Sequence, residues 1–346
     1  METRLKGSFT GSRRFLALGL LLLVISIMTG CASNAPQDYL NRPVGNSAVE
    51  ADRLWDIVFA IAVIIFVLVE GVLVFAVLKF RRRPGREAAQ FHGNTKLEIV
   101  LTLIPALLLA GLAVPMVSTL FASAEEQQGA LEIKVIGKQF WWQYEYMDSG
   151  VVTANELHIP TDTPIRLVIE GDPNDVIHSY WAPRLFGKQD VVPGRTNFIN
   201  MEAPTPGTYW GQCTEYCGLS HANMRLRVIA QDPADFESWL ADQGRPAEDP
   251  PSGSAAEGQK LFLEGACAGC HAVAGTEAGG TVGPDLTHFA GRETFAGAMF
   301  PLNEQNLVEW VTDAPGVKPG VTMPSFRGQY TSEEIGSIVA YLMTLE

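Results

Sequence analysis

The stretch GQCTEYCGLSHANM, residues 211–224, decides how this sequence is interpreted. It brings together Cys213, Cys217, His221 and Met224, and a second imidazole, His178, lies upstream. Thiolates, imidazoles and a thioether are soft ligands, which favour copper in a redox role. Two cysteines and two histidines also suit zinc, but zinc sites rarely use thioether sulfur. With two cysteines, two copper ions can be bridged by shared sulfurs.

This loop resembles that of subunit II of the cytochrome c oxidases, which carries the dinuclear copper centre CuA. The family pattern is His-x34-Cys-x3-Cys-x3-His-x2-Met with a Glu between the cysteines. This chain has every member: His178, Cys213, Glu215, Cys217, His221 and Met224. The resemblance implies that both cysteines bridge both coppers. One copper would also take a His and the Met, and the other a His and the Glu main-chain carbonyl.

The resemblance also implies that the Glu215 side chain binds a magnesium ion shared with subunit I. A different reading of the loop remains open at this point. Cys213 and Cys217 could form a disulfide in an exported domain, although that would leave the other four residues without a role.

Length, charge and cysteine usage limit the number of domains, the kinds of partner and the disulfides that are possible. The 346 residues are enough for two or three domains. With 25 Lys and Arg against 38 Asp and Glu, the net charge is −13. This balance argues against nucleic acid and permits a basic protein partner such as a soluble cytochrome c, although it also serves solubility alone. Each of the five cysteines falls in a recognisable motif, so none is left for a disulfide framework.

The chain opens with a predicted signal peptide, residues 1–30. Its apolar part, residues 15–30, is short, follows basic residues and ends in small ones. The run Met-Thr-Gly before Cys31 resembles a bacterial lipoprotein cleavage box. Cys31 is therefore either a lipid anchor or an unmodified cysteine behind an ordinary signal peptide.

Two further apolar stretches, residues 55–78 and 99–121, each exceed the ~20 residues that a helix needs to cross a bilayer. The basic cluster KFRRR at 79–83 between them should stay in the cytoplasm. Residues 31–123 are thus predicted to form an N-terminal segment and a two-helix hairpin in a bacterial cell membrane. Everything that follows would face the periplasm. A hairpin before the copper domain is also the layout of oxidase subunit II.

Two acidic residues in or beside these stretches are candidates for a functional role. Glu98 resembles the family glutamate at the mouth of a proton pathway into subunit I. The alternative is that Glu98 is an ordinary carboxylate at the start of a helix, where the helix dipole stabilises negative charge. Glu70 lies mid-helix, where a carboxylate is costly and often functional, but no family role maps onto it.

Residues 124–243 show short β-type runs separated by Pro, Gly and Asp, which predict a small antiparallel sandwich or barrel. The resemblance makes this a cupredoxin domain. In the family, an aromatic segment here receives electrons from cytochrome c, and the candidates are Phe140, Trp141 and Trp142. The family usually has Trp where this chain has Phe140. Alternation predicts that part of the segment is simply core and strand surface.

A linker, residues 244–256, leads to Cys267-Ala268-Gly269-Cys270-His271. Cys-x-x-Cys-His is the attachment signature of c-type haem, whereas a thioredoxin-like pair would need βαβ surroundings. Met323, in a Met-Pro segment that resembles class I cytochromes c, is the predicted second iron ligand. Met299 and Met343 are its competitors. Helices predicted at 257–264, 305–313 and 332–345 make residues 257–346 an all-α class I cytochrome c domain.

Taken together, the chain is similar over nearly its whole length to a bacterial oxidase subunit II with a fused cytochrome c domain. The resemblance implies that electrons pass from a cytochrome c or equivalent donor to haem c, to CuA, and then to haem in subunit I. Oxygen is reduced to water there, coupled to proton translocation, with subunit III as a further partner. Two alternatives stay open: a CuA subunit of a nitric oxide reductase, and a non-catalytic copper-delivery or redox-sensing membrane protein.

Overall fold

A computed structural model describes residues 19, 42–81, 84–85 and 93–346. Apart from Gly19, the predicted signal peptide lies outside these residues, as do Cys31 and the last two arginines of the basic cluster. The described chain contains a helical hairpin, a β-rich domain and a mainly helical domain.

Two long helices form the hairpin: α1, Asn46–Lys79, and α2, Thr95–Ala124. Both are apolar and largely exposed, as expected for helices that face lipid. Each extends beyond its predicted stretch, because hydropathy marks only the part that crosses the bilayer. Helix α2 begins at a cap in which the Asn94 side chain accepts a hydrogen bond of 3.2 Å from the Leu97 amide.

The β-rich domain contains ten strands: β1, Leu131–Lys138; β2, Trp141–Tyr146; β3, Val152–Ala154; β4, Glu156–Pro160; β5, Ile165–Gly171; β6, His178–Tyr180; β7, Gln189–Val191; β8, Thr196–Met201; β9, Gly207–Gln212; and β10, Arg225–Gln231. They form a five-stranded sheet in the order β3-β2-β1-β5-β8, a three-stranded sheet in the order β4-β10-β9, and the pair β6-β7. One apolar core is built from alternate side chains of these strands.

The predicted antiparallel arrangement is wrong for two strand pairs. Strand β1 pairs with β5 in parallel, and β4 pairs with β10 in parallel. Alternation of buried and exposed residues reports only which face of a strand is buried, so it does not reveal strand direction. The domain also ends in a helix, α3, Pro233–Gln243, whose Phe236 and Trp239 pack on Tyr146.

The C-terminal domain has three helices: α4, Ser254–Glu264; α5, Glu304–Val317; and α6, Ser332–Leu342. It also has a short strand pair, β11, Thr294–Phe295, with β12, Phe300–Pro301. Helices α4 and α6 cross at Gly258, where a Cβ would collide with the carbonyl of Ser337. These elements surround a separate apolar core.

Candidate functional site

The loop between β9 and β10 folds back on β6, and this brings the six predicted copper ligands together. The Sγ atoms of Cys213 and Cys217 lie 3.8 Å apart. His178 Nδ1 lies 3.9 Å from Cys213 Sγ, and the Glu215 carbonyl oxygen 3.2 Å from the same sulfur. The other sulfur, of Cys217, has its own neighbours: His221 Nδ1 at 3.6 Å and Met224 Sδ at 3.8 Å.

Burial and charge suit this cluster to metal binding. Cys213, Cys217, His178 and Met224 are all buried. The ligand atoms of His178 and the two cysteines lie within 4.8 Å of one another. The hydrogen bond between the two thiols lowers the pKa of Cys213 well below its ordinary range, which favours a first thiolate there. The donor set therefore fits copper.

The two sulfurs are about twice a disulfide bond length apart, and both cysteines are free thiols. This geometry does not favour the disulfide alternative. It also gives the histidines and Met224 a role that the disulfide leaves unexplained.

A carboxylate lies behind one of the imidazoles. Nε2 of His178 is 3.6 Å from Asp175 Oδ2, on the side of the ring away from Cys213. Burial raises the pKa of Asp175, but the nearby His178 imidazole and hydrogen bonds from the amides of Val176 and Gln139 outweigh it, so the net pKa is lowered. An ionised carboxylate in this place orients a metal-binding histidine.

The aromatic segment divides between core and interface. Phe140 and Trp142 are 2% and 0% exposed, and the Trp142 ring makes an edge contact with the His178 imidazole, with centroids 6.0 Å apart. Trp141 is half-buried. Gln139, just before the segment, donates a 2.5 Å hydrogen bond to the Cys217 carbonyl. The segment thus touches the metal cluster directly.

The cysteines and histidine of the haem signature lie at the wall of a cavity of ≈ 710 Å³. Cys267, Cys270, His271 and Met323 all line it, whereas Met299 and Met343 are not among its described lining residues. This volume lies within the ~300–1,000 Å³ of cofactor sites. His271 Nδ1 donates to the Pro284 carbonyl at 2.8 Å, which leaves Nε2 free. Burial lowers the pKa of His271, so its imidazole is neutral. The cavity fits a c-type haem.

The β-rich domain closes the same cavity from the other side. Lys138, Gln139, Phe140, Trp141 and Asp175 belong to its lining. The metal cluster and the haem cavity therefore share one wall.

Glu98 and Glu70 are both exposed on the hairpin helices. A Glu98 side-chain oxygen accepts a hydrogen bond of 3.2 Å from the Asn94 amide, so it completes a helix cap. That contact agrees with the helix-start interpretation and leaves the proton-pathway role a proposal.

Several interacting residues were missed by sequence reasoning. Asp175 and Gln139 support the metal cluster, and Pro284 orients His271. Two of them carried a sequence signal: Asp175 lies three residues before His178, and Pro284 lies in a Gly-Pro-Asp-Leu run that resembles the segment after the haem site of class I cytochromes c. The bonds of Gln139 and Pro284 depend on folding.

Comparison with known proteins agrees with this architecture. Three family models match in order: the transmembrane domain of cytochrome c oxidase subunit II over residues 39–118, its periplasmic domain over 149–231, and cytochrome c over 255–346. Cytochrome c oxidase subunit 2 of Alkalihalophilus pseudofirmus is 36% identical, over 96% of this chain and 97% of the relative. That of Bacillus subtilis is 30% identical, over 94% and 96%.

Among solved structures, the periplasmic domain of subunit II of cytochrome oxidase of Bradyrhizobium japonicum is 30% identical. The match covers 35% of this chain and 96% of that one, with a TM-score of 0.33.

Fold and site define a membrane-bound electron-transfer protein with a sulfur-rich copper site and a c-type haem domain. The chain belongs to the cytochrome c oxidase subunit II family, the form that carries a C-terminal cytochrome c domain. Its relatives in Alkalihalophilus pseudofirmus and Bacillus subtilis are named as subunit 2 of cytochrome c oxidase. The predicted family and fold class are confirmed.

Proposed function

We propose that this subunit accepts electrons from an external cytochrome c or equivalent donor at its own cytochrome c domain and delivers them from a dinuclear copper centre to subunit I. The observation that carries this proposal is the wall shared by the haem cavity and the copper cluster. When bound, haem c and CuA supply reversible one-electron oxidation and reduction.

The thiolates of Cys213 and Cys217 would hold the coppers. His178, His221, Met224 and the Glu215 carbonyl would be the further ligands. Burial of the cluster in a β-scaffold keeps these ligands in place between oxidation states, which suits rapid electron transfer.

The outer surface of the copper loop supports contact with subunit I. The Glu215 carboxylate is exposed although its carbonyl faces Cys213, so it is available to a magnesium ion shared between subunits. Tyr216 and Leu219 beside it are 73% and 78% exposed, and apolar groups this exposed suit a protein interface. Subunit III is proposed as a further member of the complex.

In the C-terminal domain, Cys267 and Cys270 would hold the haem covalently, with His271 and Met323 on its iron. Replacing the thioether should lower the haem potential. We therefore expect Met323→Ala to shift the midpoint potential downward with covalent haem retained, and Met299→Ala to leave it unchanged. The reverse result would transfer the ligand role to Met299.

The remaining assignments concern the membrane. We propose that the copper and haem domains face the periplasm, that Cys31 is a lipid anchor, and that Glu98 lies at a proton pathway.

Phe140, Trp141 and Trp142 are the proposed residues between the electron donor and the copper centre. Phe140 and Trp141 line the haem cavity, and Trp142 touches His178.

Metal analysis with paramagnetic resonance on the purified complex tests the copper assignment. Two coppers that share one unpaired electron should be found in this subunit. Cys217→Ser should abolish that signal, and Met224→Leu should keep the copper but change its potential. Zinc, or a single copper per chain in fully loaded protein, would refute the dinuclear centre.

A further inference from the structure

A buried lysine joins the cytochrome c domain to the copper domain. Lys318 is 1% exposed and follows α5. Its Nζ donates to the carbonyl of Phe140, in the copper domain, at 2.8 Å, and to the carbonyl of Ala296, in its own domain, at 2.6 Å. Burial lowers the pKa of Lys318 to about 7, and even the uncharged amine keeps two N–H groups, enough for both carbonyls.

A buried carboxylate makes a second connection in the opposite direction. Glu156, at the start of β4 in the copper domain, is 2% exposed. It accepts hydrogen bonds from the amides of Glu293 and Thr294, at 3.1 and 2.8 Å, and from the Thr294 hydroxyl at 2.5 Å. Arg227 balances the charge, since it donates to Glu156 at 2.9 Å and also pairs with Glu293.

Two shorter contacts lie between these connections and the copper loop. The Ser220 hydroxyl, next to the copper-loop histidine, donates to the Pro319 carbonyl at 2.6 Å. The Arg225 amide donates to the Gly297 carbonyl at 3.0 Å. These bonds hold the cytochrome c domain through residues 293–297 and 318–319, and the Thr281 carbonyl adds a contact elsewhere, since it accepts a bond of 3.2 Å from Lys138 Nζ.

These segments lie at functionally sensitive places. Residues 318–319 lead directly into the segment that carries Met323. In the copper domain, Lys318 donates to the carbonyl of Phe140. The preceding residue, Gln139, donates to the Cys217 carbonyl in the copper loop. Buried hydrogen bonds are costly to leave unmade, so several of them together select one orientation of the two domains.

We propose that Lys318 and Glu156 are positioning residues that clamp the cytochrome c domain in one fixed orientation against Phe140. The inference rests on the proposed function and deepens it. Electrons would then cross a permanent contact between the two domains. The cytochrome c domain would not swing on its linker between the copper centre and the external electron donor. Because the cytochrome c domain of the same chain covers Phe140, an external electron donor cannot contact this residue.

Hydrogen exchange in the purified oxidase complex tests the clamp directly. The amides of Glu293 and Thr294 bond to Glu156 across the contact, so their exchange reports its opening. Lys318→Met removes a buried bond donor elsewhere in the contact. We expect exchange at these two amides to become about tenfold faster or more. Lys260→Met, at an exposed lysine of α4, is the matched control and should change nothing.

Two more variants guard against misfolding. Glu156→Gln should have the same effect as Lys318→Met, with the exposed Glu257→Gln as control. Thr294→Val removes only one hydroxyl from the cytochrome c side, so it should accelerate exchange less. If the amides at positions 293 and 294 exchange as slowly in both Lys318→Met and Thr294→Val as in the unaltered protein, the clamp is refuted.

Flash reduction of the haem in the same complex gives a second measurement. A fixed contact predicts that electron transfer to copper is independent of solvent viscosity in the unaltered protein, and that it becomes slower and viscosity-dependent in Lys318→Met. Viscosity dependence in the unaltered protein would overturn the proposal. If no electron reaches copper from the haem at all, the proposed function fails, and hydrogen exchange still decides on the clamp.

Discussion

The imidazole of His178 lies between Cys213 and Asp175, with Nδ1 towards the sulfur and Nε2 3.6 Å from the carboxylate. The carboxylate fixes which nitrogen can bind metal. The Asp175 carboxylate itself accepts hydrogen bonds from the amides of Gln139 and Val176, so its position is well defined.

Asp175→Asn should weaken copper retention. The amide cannot supply the negative charge that raises the basicity of His178, and loss of such a partner typically costs ~10–100-fold in metal affinity. Competition with a copper chelator measures this loss. Asp190→Asn, at an exposed aspartate of β7, is the control. Equal copper retention in both variants would show that Asp175 does not support the ligand.

Gly283→Ala should disturb the haem ligand. A Cβ at this position would lie 2.7 Å from His271 Nδ1 and 2.9 Å from Nε2. We expect covalent haem with an altered optical spectrum and a displaced or weakened histidine ligand. Gly279→Ala, where a Cβ would have open space, should keep the normal spectrum. A normal spectrum in Gly283→Ala would contradict the proposed haem position.

Gly297→Ala should loosen the contact between the domains. A Cβ would lie 2.7 Å from Lys318 Nζ and 2.8 Å from the Phe140 carbonyl oxygen. The residue also has φ +73, which costs a side chain about 1–2 kcal/mol. Gly328→Ala, at φ +78 in open space, shares that strain but not the collision. Thermal unfolding should therefore show a larger loss of stability for Gly297→Ala, and equal losses would argue against a tight contact.

The copper domain should lose stability as the pH falls below 6.5, in part through His158. Burial lowers the pKa of His158, and the hydrogen bond with Gln231 opposes this shift without cancelling it. The unfolded chain thus binds a proton at a pH where the folded chain does not, so acid favours unfolding. Denaturant unfolding over a pH series measures the effect.

His158→Gln should flatten this pH dependence. Gln231→Leu should steepen it, because the bond that raises the pKa of His158 is lost. If both variants follow the pH profile of the unaltered protein, His158 is not the group responsible.

Sequence reasoning predicted the elements that have a local signature. The spacing of Cys213, Cys217, His221 and Met224 identified the copper loop, and the structure brings these side chains together. The Cys-x-x-Cys-His run identified the haem segment, and Met323 was selected from three methionines by its neighbouring proline. Both hairpin helices followed from hydropathy alone.

Relationships between distant parts of the chain were not predictable in this way. The parallel pairing of β1 with β5 has no sequence signature, because alternation is the same in either direction. Glu156 and Lys318 look like ordinary surface charges in the sequence. Only the folded chain shows that each is buried against a segment more than a hundred residues away.

A single asparagine connects the copper domain to both membrane helices. Asn200, in β8, donates to the carbonyls of Ser123 and Glu125 at the end of α2, at 3.4 and 3.0 Å, and its own carbonyl accepts from Ser47 in α1 at 3.1 Å. The amides of Val44 and Gly45 add bonds to the Arg184 carbonyl. These bonds consequently set the position of the metal cluster relative to the ends of the two helices. A tilt of the hairpin would therefore move the metal cluster with it.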